Sequence, residues 1–318
     1  MSVKANIAVS GAEFSLDNLT IVLYQCPSPR SGRGVARQRR GEGFIRILLH
    51  SHSEHRGLSS DTYFCRLGVN MHEIRGQVAI VTGAVLGWGR AIVDAYARAG
   101  MKLAIIDVLA DQLPQTAREL EALGAPEVLT IAADLADAGQ TLRAAEQAVA
   151  HFGAPRVLVH NAALLREVSM RDVTLDNWQR ELNIILQAAF LLSKAVWEPM
   201  IAAGGGSIVY ISSGSGIRGF VKETAYTPAK HGQEGLMKTL SMEGAEFNIA
   251  VNTITPGAPI QTPMSAAHYT DDLRQRWVDP ILLTPALIYL AKVDAGDVTG
   301  QRLDAWQLSQ AARANQDQ

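Results

Sequence analysis

The feature that most constrains this chain is an alternation that begins at Gln77. Short apolar runs recur at 77–82, 102–106, 128–132, 156–160, 207–211, 250–254 and 301–304. Between them lie longer helix-forming stretches at 88–99, 111–123, 136–151, about 174–203, 226–246 and 285–291. Gly100, Gly124 and the Gly204–Gly206 cluster stop three of these stretches, as glycine does just past a helix end. Consecutive strands separated by helices cannot pair as hairpins, so they must run parallel with both faces covered. The pattern predicts an α/β fold: a doubly wound seven-stranded parallel sheet with helices on both faces.

Residues 1–70 do not follow the alternation. Residues 27–43 are rich in Arg, Gly, Ser and Pro and have little to bury. Two apolar runs, 19–24 and 44–49, flank that stretch, and either could form an isolated strand or turn. The expected organisation is therefore an irregular N-terminal extension over 1–70 and one doubly wound α/β domain over 71–318, with Met71 as a natural start. Glu13 and Asp17 argue against a secretory signal. Both cysteines, Cys26 and Cys65, lie in this first part, which excludes a disulfide framework for the remainder. A reducing, cytoplasmic setting is the expectation.

Composition narrows the function classes. The chain is 47% hydrophobic and 19% charged, which excludes a disordered chain. The net charge of −2 gives no global attraction to nucleic acid or anionic membrane. The Arg-rich stretch near 30–46 carries no interleaved aromatics, so a nucleic-acid role is not expected. The most apolar helical stretch is interrupted by Gln187, Ser193 and Lys194, and no membrane span is expected. No metal site is expected either.

Two constellations carry chemistry. The first strand runs into Thr82-Gly83-Ala84-Val85-Leu86-Gly87-Trp88-Gly89, where glycines let a backbone and a helix N-terminus approach a pyrophosphate. A plain tight turn is the alternative. The next strand leads to Asp107, whose carboxylate suits an adenosine ribose and repels a 2′-phosphate; it could equally be a loop acid. The second constellation is Tyr226-x-x-x-Lys230, a phenol and an ammonium on one helix face, preceded by Ser213 at a strand end. A nearby cation lowers a phenol's pKa toward working pH, which suits proton exchange with a carbonyl and alcohol pair. A solvent-facing pair is the alternative.

Taken together, these segments resemble the short-chain dehydrogenase/reductases, compact Rossmann-type oxidoreductases. The match rests on 82–89, on Asn161-Ala162-Ala163 after the fourth strand, on Ser213 with Tyr226 and Lys230, and on Pro256-Gly257 after the sixth. It covers about 73–308. The resemblance implies catalytic roles for Asn183, Ser213, Tyr226 and Lys230. Tyr226 is then the general acid/base, Lys230 its tuning cation and ribose contact, and Ser213 the substrate hydrogen bond. Asn183 would hold a relay water, with a helix-bending polar residue as the other reading. Cofactor contacts would come from Gly83, Leu86, Gly87, Trp88, Gly89, Asp107, Asp134, Leu135, Asn161, Ala162, Pro256, Gly257 and Thr262, besides Tyr226 and Lys230.

The chain departs from the family pattern at several points. His160 and Ala163 replace the usual Asn and Gly around Asn161-Ala162, and His160 reads as a packed strand-end residue. Trp88 replaces a small aliphatic residue. One extra residue separates Pro256 from Thr262, and Leu303-Asp304-Ala305-Trp306 lacks the usual Asp-Gly-Gly. The resemblance implies an NAD(H)-dependent oxidoreductase that interconverts a secondary alcohol and a ketone, working as a homodimer or homotetramer. An NADP-dependent 3-oxoacyl thioester reductase is one alternative, and a low-turnover cofactor-binding or scaffold protein is another. Arg166, Arg218 and Lys222 lie in candidate substrate loops, either as substrate contacts or as solvated charges.

Overall fold

The structure, a computed structural model, describes residues 72–314 and the backbone of two earlier strands. The remainder of the expected extension and residues 315–318 lie outside the described residues. The early strands are β1 (Leu19–Tyr24) and β2 (Arg46–Ser51). They pair antiparallel with each other, Leu19 opposite Ser51 and Tyr24 opposite Arg46, instead of standing isolated. They belong to a unit separate from the one that begins at Val69.

The second unit holds the predicted sheet. Its strands are β3 (Val78–Thr82), β4 (Lys102–Asp107), β5 (Val128–Ala132), β6 (Val157–His160), β7 (Gly206–Ile211), β8 (Ile249–Thr255) and β9 (Arg302–Asp304). All pair parallel in the order β5-β4-β3-β6-β7-β8-β9. The helices are α1 (Gly87–Arg98), α2 (Leu113–Leu123), α3 (Ala138–Phe152), α4 (Leu175–Leu182), α5 (Ala188–Ala202), α6 (Tyr226–Gly244), α7 (Pro263–His268), α8 (Asp271–Gln275), α9 (Thr284–Lys292) and α10 (Ala305–Ala314). One apolar layer joins α1, α2 and α9 to the sheet, and the other joins α3, α5 and α6. This two-sided cover explains why every residue of β3, β6 and β7 is buried. A fully buried side chain such as Ile92 of α1 stabilises the fold by about 1.5–3 kcal/mol. Strand order reverses at β3, which sits between β4 and β6, so a crevice opens at the carboxyl ends there.

The expected single helix over 174–203 is interrupted. Thr174 caps α4, with its hydroxyl accepting the Asn177 N–H at 3.2 Å. A π turn then occupies Asn183–Gln187 before α5 resumes, and the Ala188 N–H bonds to the Asn183 carbonyl five residues back. The Asn183 side chain leaves the helix and donates to the Ala136 carbonyl at 3.1 Å. Side-chain bonds of this kind compete with regular helix geometry. The run Leu175–Ala202 is long and apolar enough by length and composition to cross a membrane, more than the sequence reading allowed. Its inner residues Ala188, Ala189, Leu192 and Val196 are fully buried in the sheet-facing core, which accounts for its apolar character.

Candidate active site

The crevice at the strand ends is a cleft of about 1160 Å³. Its floor begins at the glycine turn. A Cβ on Gly89 would lie 1.9 Å from the Gly83 carbonyl oxygen and 2.5 Å from Asn161 Nδ2, so only glycine fits. Helix α1 then starts at Gly87 with no side-chain cap and no acid in its first turn. Its first N–H groups are left for an anion, and the dipole favours one there. Asn161 braces the turn by donating Nδ2 to the Thr82 and Gly83 carbonyls at 3.2 and 2.9 Å. These observations fit a dinucleotide pyrophosphate. Leu86, Gly87, Trp88, Ala162 and Leu135 also line the cleft.

Asp107 lines the cleft beside the glycine turn. It is 8% exposed, and its two oxygens accept the Val85 and Leu109 N–H groups at 3.0 and 3.1 Å. The carboxylate is thus fixed at the tip of β4, beside the glycine turn. Asp134 lies further along, with Oδ2 accepting from Arg180 at 3.0 Å and Oδ1 accepting the Ala136 N–H. On the opposite rim the segment after β8 folds back. Thr262 caps α7 in a reciprocal pairing with Ser265 and stands close to Gly87, so the extra residue after Pro256 does not remove it from the cleft. Gly257, at φ +74°, passes within reach of Asp304: a Cβ there would meet Asp304 Oδ1 at 2.0 Å. Asp304 Oδ1 also accepts the Gln307 N–H at the start of α10.

The chemical end of the cleft brings Ser213, Tyr226 and Lys230 together. Tyr226 opens α6 and Lys230 follows one turn later, with its Nζ 5.6 Å from the phenol ring centre. Burial pushes the Tyr226 phenol above its ordinary value, and a hydrogen bond with Ser213 works in the opposite direction. The expected lowering by Lys230 is not what prevails. Lys230 is itself desolvated, which brings its amine down to about 7 against the pull of Glu234. The phenol is therefore held protonated, as a proton donor to a carbonyl must be.

Asn183 is not among the residues that line this cleft: its carboxamide donates to the Ala136 carbonyl, while Arg180 and Ile184 of the same helical run do line the cleft. The nearby carbonyl tied to the lysine shell is that of Ile185. Two residues unread in the sequence, Gln233 and Glu234, neighbour Lys230, and a third, Arg302, stands behind Glu234. Their spacing of three and four after Lys230 places the first two on its helix face, which was the available signal. Glu181 was also missed. It is 2% exposed, and burial raises its carboxyl to about 7. His160 is buried as expected, and burial together with the Lys230 charge brings its imidazole down to about 3.

Substrate-side loops complete the cleft. Residues 166–168 and 222–224 are tied by the Val168 N–H to the Lys222 carbonyl at 2.9 Å and by the Thr224 hydroxyl to the Val168 carbonyl at 3.0 Å. Leu165, Phe220 and Ile260 give this end an apolar lining. Arg218 lies over the Phe220 ring at 5.0 Å, and Arg166 bonds to Asn177. Among the described residues, no group of His, Cys, Asp and Glu could hold a metal.

Residues 77–273 match the short chain dehydrogenase family model. The trans-4-hydroxycyclohexanecarboxylate dehydrogenase of Sinomonas cyclohexanicum is 36% identical over 60% of this chain and 74% of its own length. The 3-alpha-(or 20-beta)-hydroxysteroid dehydrogenase of Mycobacterium bovis is 34% identical over 71% of this chain and 86% of its own. Among solved structures, the L-sorbose reductase of Gluconobacter frateurii, complexed with NADPH and L-sorbose, superposes with a TM-score of 0.67. It is 27% identical and covers 75% of this chain and 98% of its own. The chain is an oxidoreductase-fold protein with a nucleotide-binding cleft, and it belongs to the short-chain dehydrogenase family.

Proposed function

We propose that the protein interconverts ring-bearing secondary alcohols and ketones with NAD(H). The observation that carries this reading is the convergence of Ser213, Tyr226 and Lys230 on one cleft whose floor accepts a pyrophosphate. A bound nicotinamide dinucleotide supplies the hydride chemistry. Ser213 holds the substrate oxygen, and Tyr226, kept protonated by burial, gives its proton to that oxygen during ketone reduction. In the alcohol direction Tyr226 must first be ionised, and its phenolate, steadied by Lys230, takes the proton from the substrate hydroxyl. Lys230 holds the cofactor ribose and steadies the charge that develops at Tyr226.

The cofactor preference rests on Asp107, fixed by two backbone N–H groups where a 2′-phosphate would have to sit. The NADPH in the sorbose reductase points the other way, so the preference needs its own measurement. The substrate class rests on the apolar lining at Leu165, Phe220 and Ile260, and on two relatives that act on ring alcohols. A panel of cyclohexanols, hydroxysteroids and open-chain polyols, each with NAD and NADP, tests both points. Turnover of ring alcohols with a higher kcat/KM for NAD is expected. Turnover confined to polyols, or a preference for NADP, would overturn the corresponding half.

A further inference from the structure

Lys230 is 2% exposed, and its Nζ reaches two acceptors behind the cleft: the Ile211 carbonyl at 2.5 Å and Gln233 Oε1 at 3.2 Å. An ammonium has three N–H donors. Two are thus assigned, and the third is left for the cleft that Lys230 lines. Gln233 is fully buried, and its other end is also fixed, with Nε2 donating to the Ile185 carbonyl at 3.3 Å. That carbonyl lies in the π turn and takes a second donor, His160 Nε2, at 3.1 Å.

The tautomer of His160 follows from counting donors. Thr82 Oγ1 accepts the N–H groups of Asn161 and Ala162, both at 3.1 Å. Those fill its two acceptor sites, so its own proton goes to His160 Nδ1 at 2.9 Å. The ring proton then sits on Nε2 and points at Ile185. A buried chain of hydrogen bonds thus runs from the end of β3 through His160, Ile185 and Gln233 to Lys230.

We propose that Gln233 is a positioning residue for Lys230: its carboxamide, anchored on the Ile185 carbonyl, aims the amine at Tyr226 and the cleft and favours its charged form. The proposal rests on the reading of Lys230 as the cation that serves Tyr226 and the cofactor ribose. An amide oxygen accepts strongly from an ammonium and weakly from a neutral amine, which is why it shifts the balance. The groups that face Lys230 are Tyr226 and Glu234 from its own helix and His160 from the end of β6. Arg302 on β9 stands behind Glu234 at 3.2 Å. His160 is neutral near pH 7, and Glu234 keeps its partners when Gln233 is changed, so the comparison isolates Gln233.

The sign is definite. Burial holds the Lys230 amine near 7, so loss of an acceptor moves its midpoint down, and a stronger acceptor moves it up. The test is an NMR titration of protein carrying 13C-labelled lysine, with the Lys230 signal assigned by its absence in Lys230→Ala. Gln233→Met keeps the volume without the acceptor and is expected to lower the midpoint by about one pH unit. Gln233→Glu is expected to raise it by a similar step. NADH and NADPH affinity above pH 7, followed by fluorescence, should fall in the first variant and hold in the second. A packing role alone would weaken thermal stability in both and leave the midpoint in place, and that result overturns the proposal. If Lys230→Ala binds both dinucleotides as the unaltered protein does, the reading of Lys230 as the ribose contact is overturned, and the proposal with it.

Discussion

Replacing Arg302 with Leu should cost more stability than replacing Arg302 and Glu234 together. Glu234 is nearly buried, with Oε1 3.2 Å from Arg302 Nε and 2.5 Å from the Ser212 hydroxyl, while Oε2 takes the Thr253 hydroxyl at 2.8 Å. Arg302 Nη2 also donates to the Ser213 carbonyl at 2.6 Å. In Arg302→Leu the carboxylate keeps two hydroxyl donors but loses its charge partner. Removing one member of a buried pair costs about 3–5 kcal/mol. The surviving hydroxyl bonds, and an Arg302 side chain that is 23% exposed, place this case near the lower end, at about 3 kcal/mol. Changing both residues to Leu removes the stranded charge; the Ser213 carbonyl loses its donor in both variants, and the Ser212 and Thr253 hydroxyls lose their acceptor at about 1 kcal/mol each, the lower end because a hydroxyl can rotate to another partner. Urea unfolding at pH 7 measures all three proteins, and thermal melts should show the single variant about 6–12 °C below the parent. A single variant within about 1 kcal/mol of the parent, or a double variant worse than the single, would refute the reasoning.

Asp107→Ser should raise the ratio of kcat/KM for NADP over NAD, because it removes both the ribose acceptor and the repulsion of a 2′-phosphate; an unchanged ratio would take Asp107 out of cofactor choice. Gly89→Ala places a methyl group 1.9 Å from the Gly83 carbonyl, and dinucleotide affinity measured by calorimetry should drop at least about tenfold. A chain beginning at Met71 should fold, bind dinucleotide and turn over like the full chain, since the seven-stranded sheet draws only on residues from Val78 onward; insolubility or loss of binding would contradict that.

The sheet was legible because its strands are buried on both faces and therefore written as continuous apolar runs. Val78–Thr82 and Val157–His160 are examples, with every residue buried. The glycine turn was legible for a related reason: at Gly89 the backbone leaves no space for a side chain. The π turn was not legible, because Asn183–Gln187 reads as ordinary helix until the carbonyls at Asn183 and Ile185 find their partners in three dimensions. Asn183, at the start of that turn, fits its other reading, a helix-bending polar residue, since its carboxamide donates to the Ala136 carbonyl. The burial that raises the Tyr226 phenol was not legible from the spacing of Tyr226 and Lys230. A cation four residues away lowers a phenol only while that cation stays solvated enough to keep its charge, and Lys230 is buried with it. The helices α7, α8 and α10 lie in segments for which the alternation predicts no helix, and local caps such as Thr262 with Ser265 help decide the structure there. Arg302 gave no signal, because its partner Glu234 is distant in sequence.

The central claim is that Tyr226 moves the proton while the rest of the cleft binds the cofactor. The most direct test is Tyr226→Phe, with turnover of a ring alcohol and dinucleotide affinity measured on the same preparation. The ring still packs beside Ile185 and Ala229, and only the hydroxyl is lost. The expected result is a fall in kcat of about 10²–10⁴-fold, with NADH affinity within a few-fold of the parent. Turnover within a few-fold of the parent would contradict the assignment of Tyr226 as the proton donor.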